Sequence, residues 1–297
     1  MTNRREFSLL TAAALLPSLA FAQSGDTRAV ITRPIPSTGE PLPVVGLGTA
    51  SEFDSDDGQT RDAADHVVRT LVDAGGRLID TASTYGEAEA VLGSVMAAAG
   101  LRSRLFLATK LESPNPAELE RSLARLKLKQ VDLLQLHNVR DASQSLAQFR
   151  DWKKQGLCRY VGITSTYRRD FPAVEAVLAR EKPDFVQVDY SLDDRAAQER
   201  ILPLAADNRT AVLTALPFGR ARLFRAVHGK PVPDWAKGFA DSWAQFFLKY
   251  LLGDERVTAV IPGTANPQHM ADNLGAMRGT LPDAAERQRM VAFIESL

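Results

Sequence analysis

Three ionisable side chains close three successive apolar runs: Asp80 ends Arg77–Asp80, Lys110 ends Leu105–Lys110, and His137 ends Val131–His137. A tyrosine, Tyr85, follows shortly after Asp80. Carboxylate, ammonium, imidazole and phenol are groups that pair charges and move protons. Singly, each has an ordinary explanation. A strand-end Asp caps a turn, a Lys snorkels its ammonium to water, and a His sits satisfied in a core. Gathered at one mouth they read differently, because unpaired buried charges are costly. Jointly they form a candidate catalytic cluster. No metal site is expected: Cys158 is the sole cysteine, and His66, His137, His228 and His269 show no HExxH or paired ligand spacing.

The elements that must position this cluster alternate in type. Strand candidates are Val44–Gly48, Arg77–Asp80, Leu105–Lys110, Val131–His137, Tyr160–Thr164, Phe185–Tyr190, Ala211–Leu216 and Thr258–Pro262. Most are nearly continuous apolar runs, as strands buried on both faces should be. Between them lie helical stripes such as Ala64, Val67, Val68 and Leu71, or Leu119, Leu123 and Leu126. Asn115-Pro116-Ala117-Glu118 combines an N-cap, a first-turn proline and a capping-box acid, and Asn266-Pro267 repeats the start signal. Eight such units with no two-domain break predict a single (β/α)8 TIM barrel, whose chemistry collects at the C-terminal strand ends. Val30–Ile35 and Leu42–Val44 flank Ser37-Thr38-Gly39-Glu40, predicting an N-terminal β-hairpin that plugs the barrel bottom. A doubly wound sheet would want G-x-G-x-x-G after its first strand. Gly46-Leu47-Gly48-Thr49 lacks the third glycine and the helix behind it.

Composition sets the class. The chain has 297 residues, 45% hydrophobic and 24% charged, with 36 basic against 36 acidic side chains. That is a globular composition, and its neutrality argues against a nucleic-acid partner. Residues 1–22 read as a targeting segment: Arg4-Arg5-Glu6-Phe7, an apolar run from Leu9 to Leu16, then Ala20-Phe21-Ala22. The paired arginines resemble a twin-arginine export signal. The apolar run falls short of the roughly 20 residues a spanning helix needs, and Pro17 follows it. Cleavage after Ala22 is expected, leaving residues 23–297 as the barrel domain, exported to the periplasm and not stably inserted in a membrane. No apolar stripe demands an oligomer.

Asp80-Thr81-Ala82-Ser83-Thr84-Tyr85-Gly86, with Glu89 and Leu92-Gly93 behind it, resembles the signature of the aldo-keto reductases. Lys110 after Leu107-Ala108-Thr109, and His137 after Val131-Asp132-Leu133-Leu134, fall where that family keeps the rest of its catalytic tetrad. Ile261-Pro262-Gly263-Thr264, followed by Asn266-Pro267 and Asn273, resembles its cofactor-closing segment. The likeness runs from about Pro41 to Met277. It implies hydride transfer between NADP(H), or NAD(H), and a small carbonyl, alcohol or sugar-like substrate. A phenol ionises near pH 10, so Tyr85 needs a neighbouring ammonium to serve as proton donor. Lys110 would supply it, Asp80 would hold Lys110, and His137 would orient the carbonyl.

The resemblance also assigns cofactor contacts. Thr49 and Asp80 lie at the mouth; Thr164 and Ser165 stand where the family holds the nicotinamide carboxamide, with Gln187 as its glutamine partner. An aromatic usually stacks on the nicotinamide. Here Ala215 takes that position, and Phe218 could substitute if the loop bends. Gly263 and His269 replace a lysine and an arginine that bind the NADP 2′-phosphate, leaving Thr264, Asn273 and the helix start after Asn266. Preference for NADP over NAD should therefore be modest. The stretch Phe218–Gly238 is expected to form a lid, with Trp235 lining the substrate pocket; Trp152, spaced with Phe149, is expected in the core. The competing reading is an exported, non-redox binding or accessory barrel that has lost its dinucleotide.

Overall fold

Side chains alternate across a strand, and that alternation organises the whole interior. The computed structural model describes residues 29–139 and 142–297. The expected targeting segment, 1–22, and its cleavage site lie outside the described residues. A hairpin of β1 (Thr32–Pro34) and β2 (Pro41–Pro43) precedes eight parallel strands in chain order. These are β3 (Leu47–Gly48), β4 (Leu78–Asp80), β5 (Phe106–Leu111), β6 (Val131–Leu136), β7 (Cys158–Ser165), β8 (Phe185–Asp189), β9 (Ala211–Ala215) and β10 (Ala259–Val260). The sheet closes on itself. Gly46 N–H donates to Val260 O at 2.8 Å, Val260 N–H to Val44 O at 2.9 Å, and Gly48 N–H to Pro262 O at 3.0 Å. Closure is tight: a Cβ on Gly48 would stand 2.9 Å from the Ile261 carbonyl oxygen. The first and last barrel strands are shorter than Val44–Gly48 and Thr258–Pro262. Pro262 has no N–H to extend the ladder.

The lower interior is apolar and plugged. Leu78, Phe106, Leu133, Tyr160, Phe185 and Leu213 point inward, and Ile35 and Leu42 of the hairpin close over them. Phe106, Tyr160 and Phe185 pack with ring centroids 5.5–5.9 Å apart. The plug is also held by polar contacts, since Tyr160 OH donates to Glu40 at 2.8 Å and lies 2.8 Å from Thr38 Oγ1. Arg159 adds an ion pair to Glu40 and another to Asp132 at 2.8 Å.

The outer helices include α1 (Gly58–Asp73), α2 (Ala88–Ala99), α3 (Pro116–Leu126), α4 (Ala142–Lys154) and α5 (Phe171–Glu181). They continue with α6 (Ala196–Asp207), α7 (Arg222–Ala226), α8 (Trp243–Leu252), α9 (Pro267–Gly275) and α10 (Ala284–Glu295). Ala64, Val67, Val68 and Leu71 of α1 are fully buried, as their helical spacing requires. Asn115 caps α3, accepting from Ala117 N–H at 3.0 Å. Glu118 does not complete a capping box. Its carboxylate instead accepts from Ser83 Oγ at 2.8 Å and from Glu112 N–H at 3.0 Å, tying together two loops of the barrel mouth. Trp152 stacks on Phe149 with centroids 5.4 Å apart, inside the core. Among the described residues, no helix is long and apolar enough to cross a membrane.

Helices α2 and α3 meet closely at Gly93, where an added Cβ would lie 2.2 Å from the Arg125 carbonyl oxygen. Backbone cannot yield there as a flexible side chain would. Gly93→Ala is expected to destabilise the fold by about 1–3 kcal/mol, read as a lower urea midpoint; an unchanged midpoint would show that the helices separate freely.

Candidate active site

The strand-end positions are brought to one mouth by register. Asp80 pairs with Ala108 across β4 and β5, Lys110 with Gln135 across β5 and β6, and Thr164 with Gln187 across β7 and β8. Counting inward positions by two up each strand leads from the apolar layer to a polar one: Leu78 to Asp80, Phe106 to Lys110, Leu133 to Gln135 and His137, Tyr160 to Thr164, Phe185 to Gln187. Asp80, Lys110, Gln135, Thr164 and Gln187 are all at most 3% exposed.

At the centre Lys110 Nζ donates to Asp80 Oδ2 at 2.5 Å and to the Thr81 carbonyl at 2.8 Å. The other oxygen of Asp80 accepts from Gln135 Nε2 at 3.1 Å, and Oδ2 also accepts from Gln187 Nε2 at 3.3 Å. Burial alone would push the Lys110 ammonium down, but Asp80 holds it above its ordinary value. Tyr85 sits over this pair, with Lys110 Nζ 4.9 Å from its ring centroid. His137 meets the Tyr85 ring edge-on at 5.7 Å. Burial and the Lys110 charge push the imidazole below its ordinary value, against the opposite pull of Glu112 and Asp80. The geometry provides a phenol beside a fixed cation and a neutral imidazole, opening together onto a cavity.

That cavity measures about 770 Å³, within the range of cofactor and substrate sites. Thr49, Asp80, Tyr85, Lys110, His137, Thr164, Gln187, Phe218, Gly263, Thr264, His269 and Asn273 all line it. Ser165 does not. Alternation turns it away from Thr164, and its hydroxyl donates to Asp170 Oδ2 at 2.8 Å at the start of α5. Trp235 also lies elsewhere, packed on Phe246 at 5.9 Å and under the Arg289 guanidinium at 4.4 Å. The aromatic wall is made by Phe218, Phe224 and Trp243. Phe218 and Phe224 pack with centroids 4.8 Å apart. The stretch expected as a lid is divided: its first part, including α7, borders the cavity, whereas Asp234–Ala236 forms a short turn behind Trp235.

The residues suit a dinucleotide. Gln187 Oε1 is buried without a hydrogen-bond partner, an acceptor waiting for a donor. A nicotinamide carboxamide N–H would supply one, with Thr164 and Asn138 alongside. At the far end, Gly263, Thr264, His269 and Asn273 form the wall beside Glu52 and Asp272. The start of α9 is less available to an anion than its sequence suggests, because Asn266 Oδ1 already accepts from Gln268 N–H at 2.8 Å and His269 N–H at 3.4 Å. Burial pushes the Glu52 carboxyl up, and it neighbours His269.

Sequence reasoning missed several of these. Gln135 was legible, being two residues before His137 on the same face. Glu52, Arg220 and Asp272 come from loops and a helix face whose approach to the cavity carries no local signal. Among the described residues, no group of three or more His, Cys, Asp or Glu side chains gathers as a metal site.

A family model described as "Aldo/keto reductase family" matches residues 44–291. Relatives include an aldo-keto reductase of Mycolicibacterium smegmatis, 28% identical over 245 residues, covering 78% of this chain and 81% of the relative. The methylglyoxal reductase YeaE of Escherichia coli is 28% identical over 255 residues, covering 82% and 88%. Similar folds include an aldo-keto reductase from Klebsiella pneumoniae in complex with NADPH, with TM-score 0.73, 24% identity and coverage of 86% and 92%. Another, from Bacillus halodurans in its holo form, has TM-score 0.73, 22% identity and coverage of 90% and 96%. With most of its length matched by the family model, and Asp80, Tyr85, Lys110 and His137 converging at the barrel mouth, the chain belongs to the aldo/keto reductase family.

Proposed function

We propose that the protein reduces small carbonyl compounds, or oxidises the matching alcohols, with NADP(H) or NAD(H) bound across the barrel mouth. The observation that carries this is the Tyr85–Lys110–Asp80–His137 cluster facing a cavity whose other wall offers the unpartnered acceptor of Gln187. The nicotinamide, when bound, supplies or accepts the hydride. Thr164, Asn138 and Gln187 would hold its carboxamide, and Thr264, His269 and Asn273 the adenosine side.

The chain's own residues handle the proton. As negative charge develops on the substrate oxygen, Tyr85 Oη gives up its proton, and the Lys110 ammonium stabilises the phenolate left behind. Asp80 keeps that ammonium charged and aimed. The buried carboxylate is itself restrained by two glutamine amides, so the group does not reorganise during reaction. Burial of the cluster excludes competing water and strengthens each of these interactions. The reading of residues 1–22 as an export segment assigns this reaction to the periplasm. A non-redox binding barrel is the weaker reading, because it has no use for a cation held under a phenol.

Tyr85→Phe should slow carbonyl reduction by about 10²–10⁴-fold while leaving NADPH binding, read by nicotinamide fluorescence, nearly unchanged. Retained turnover would remove Tyr85 from the proton-donor role.

Lys110→Met leaves Asp80 without its cation and should cost about 3–5 kcal/mol of stability in urea titrations near neutral pH. The lysine's folded value is raised. Its contribution should therefore be constant from neutral pH up to about pH 10.5 and fade as pH rises beyond it.

His269→Arg adds a permanent cation near the adenosine end. Fluorescence titration should show NADP(H) binding tightened about tenfold and NAD(H) unaffected; equal tightening would show that residue 269 does not meet the 2′-phosphate.

A further inference from the structure

Gln135 stands apart from the other polar residues of the mouth. It is fully buried, yet it does not line the cavity, so it meets neither cofactor nor substrate. Register sets it between Lys110 on β5 and Gly162 on β7. Gly162 makes the room: a Cβ there would lie 3.2 Å from Gln135 Cγ and 2.9 Å from the Phe185 carbonyl oxygen. In this slot Gln135 Nε2 donates to Asp80 Oδ1 at 3.1 Å, while Oε1 is buried with no hydrogen-bond partner among the described residues. Turning the amide round would set its oxygen against a carboxylate that offers only lone pairs. A buried orphan acceptor costs stability and calls for a reason. Gln187 also donates to Asp80, at 3.3 Å, but its free oxygen belongs to a side chain that lines the cavity. The side chain of Gln135 has Asp80 alone.

A buried lysine–carboxylate pair can hold its shared proton on nitrogen, as an ion pair, or on oxygen, as a neutral amine and acid. Burial favours the neutral form, because desolvation penalises both charges; a hydrogen bond given to the carboxylate favours the ionic one. We propose that Gln135 is a positioning residue whose amide keeps that proton on Lys110, so that the site retains its cation when the Tyr85 proton leaves. This rests on the carbonyl-reducing reading above. In that reaction the carbonyl carbon takes hydride from the dihydronicotinamide, which leaves as nicotinamide, and the carbonyl oxygen takes the Tyr85 proton. The phenolate left behind then lies over an ammonium rather than an amine. No bond to Gln135 forms or breaks. Removing its amide frees the shared proton to move toward Asp80 and removes a dipole that offsets the carboxylate charge. Both effects disfavour the phenolate. The charged and titratable groups around the pair are Tyr85, Glu112 and His137 from the ends of β4, β5 and β6, with Asp189 two residues above Gln187 on β8. On β7 the inward positions Gly162 and Thr164 carry no charge.

Gln135→Met keeps the length of the side chain and removes donor and orphan acceptor together. The protein loaded with NADPH is mixed with the best-reduced of methylglyoxal, benzaldehyde and butanone, and a single turnover is followed by loss of nicotinamide fluorescence. The single-turnover rate should fall about ten- to hundredfold, with NADPH affinity and KM for the carbonyl nearly unchanged. In alcohol oxidation, where Tyr85 must start as phenolate, the limb of the pH profile that rises with phenolate formation should move to higher pH. Nitrogen-15 NMR should show the Lys110 Nζ as ammonium in the wild type and shifted toward amine in the variant. Gln135→Glu restores a donor only while its carboxyl keeps a proton. Its rate relative to Gln135→Met should therefore climb toward low pH, and this variant carries the test if Gln135→Met does not fold. A wild-type rate in Gln135→Met, a loss confined to KM or NADPH affinity, an amine at Lys110 in the wild type, or a Gln135→Glu rate that never exceeds that of Gln135→Met would each overturn the proposal. If the wild type still reduces one of the three carbonyls, the broader reading survives that failure. If it neither binds NADPH nor reduces any of them, both fall.

Discussion

Everything at the barrel mouth depends on the buried ion pair between Asp80 and Lys110. Either charge alone in that position would be strongly unfavourable, because both side chains are almost fully excluded from water. Together, with Gln135 and Gln187 donating to the carboxylate and Thr81 accepting from the ammonium, the charges are satisfied in all but detail. The result is a fixed positive charge under the Tyr85 ring. A cation that stays in place through the reaction can stabilise a developing phenolate without first having to reorganise.

The barrel is built to hold that pair. Its lower half is an apolar plug in which Phe106, Tyr160 and Phe185 interlock and the hairpin residues Ile35 and Leu42 close the floor. The same strands turn polar one or two inward positions higher. Rigidity below and charge above are thus consequences of one two-residue period, to which the loop after β4 adds Tyr85. Glu118, at the start of α3, extends this order into the loops by joining Ser83 to the Glu112 backbone.

The end of the cavity formed by Gly263, Thr264, His269 and Asn273 is chemically different. Gly263 and His269 provide neither a lysine nor an arginine there, and the carboxyl groups of Glu52 and Asp272 line the same cavity. Arg220, on the loop after β9, also lines the cavity. The leading helix amides of α9 are occupied by Asn266. This wall is therefore assembled from loops and α9, whereas Asp80, Lys110, Gln135, Thr164 and Gln187 stand on strands.

The sequence by itself determined the architecture and the strand-end placing of Asp80, Lys110 and His137. Period-two alternation and apolar strand runs are local properties, so the eight strands, the hairpin plug and the inward-facing Asp80, Lys110 and His137 were all readable from spacing. The Trp152 core position followed from helical spacing in the same way. What only the tertiary structure decided involves groups distant in the chain or free to choose between partners. Ser165 turned outward to Asp170 because alternation allows only one of two adjacent residues to face the cavity. Glu118 left its expected cap for Ser83 and Glu112 because the loops after β4 and β5 come within its reach. Trp235 went to the outer aromatic cluster while Trp243 took the cavity wall, a choice between two similar hydrophobes that packing alone settles. The contact of Glu112 with His137 joins two loops that no sequence period relates. It exists because neighbouring parallel strands end side by side, and only the closed barrel brings those ends together.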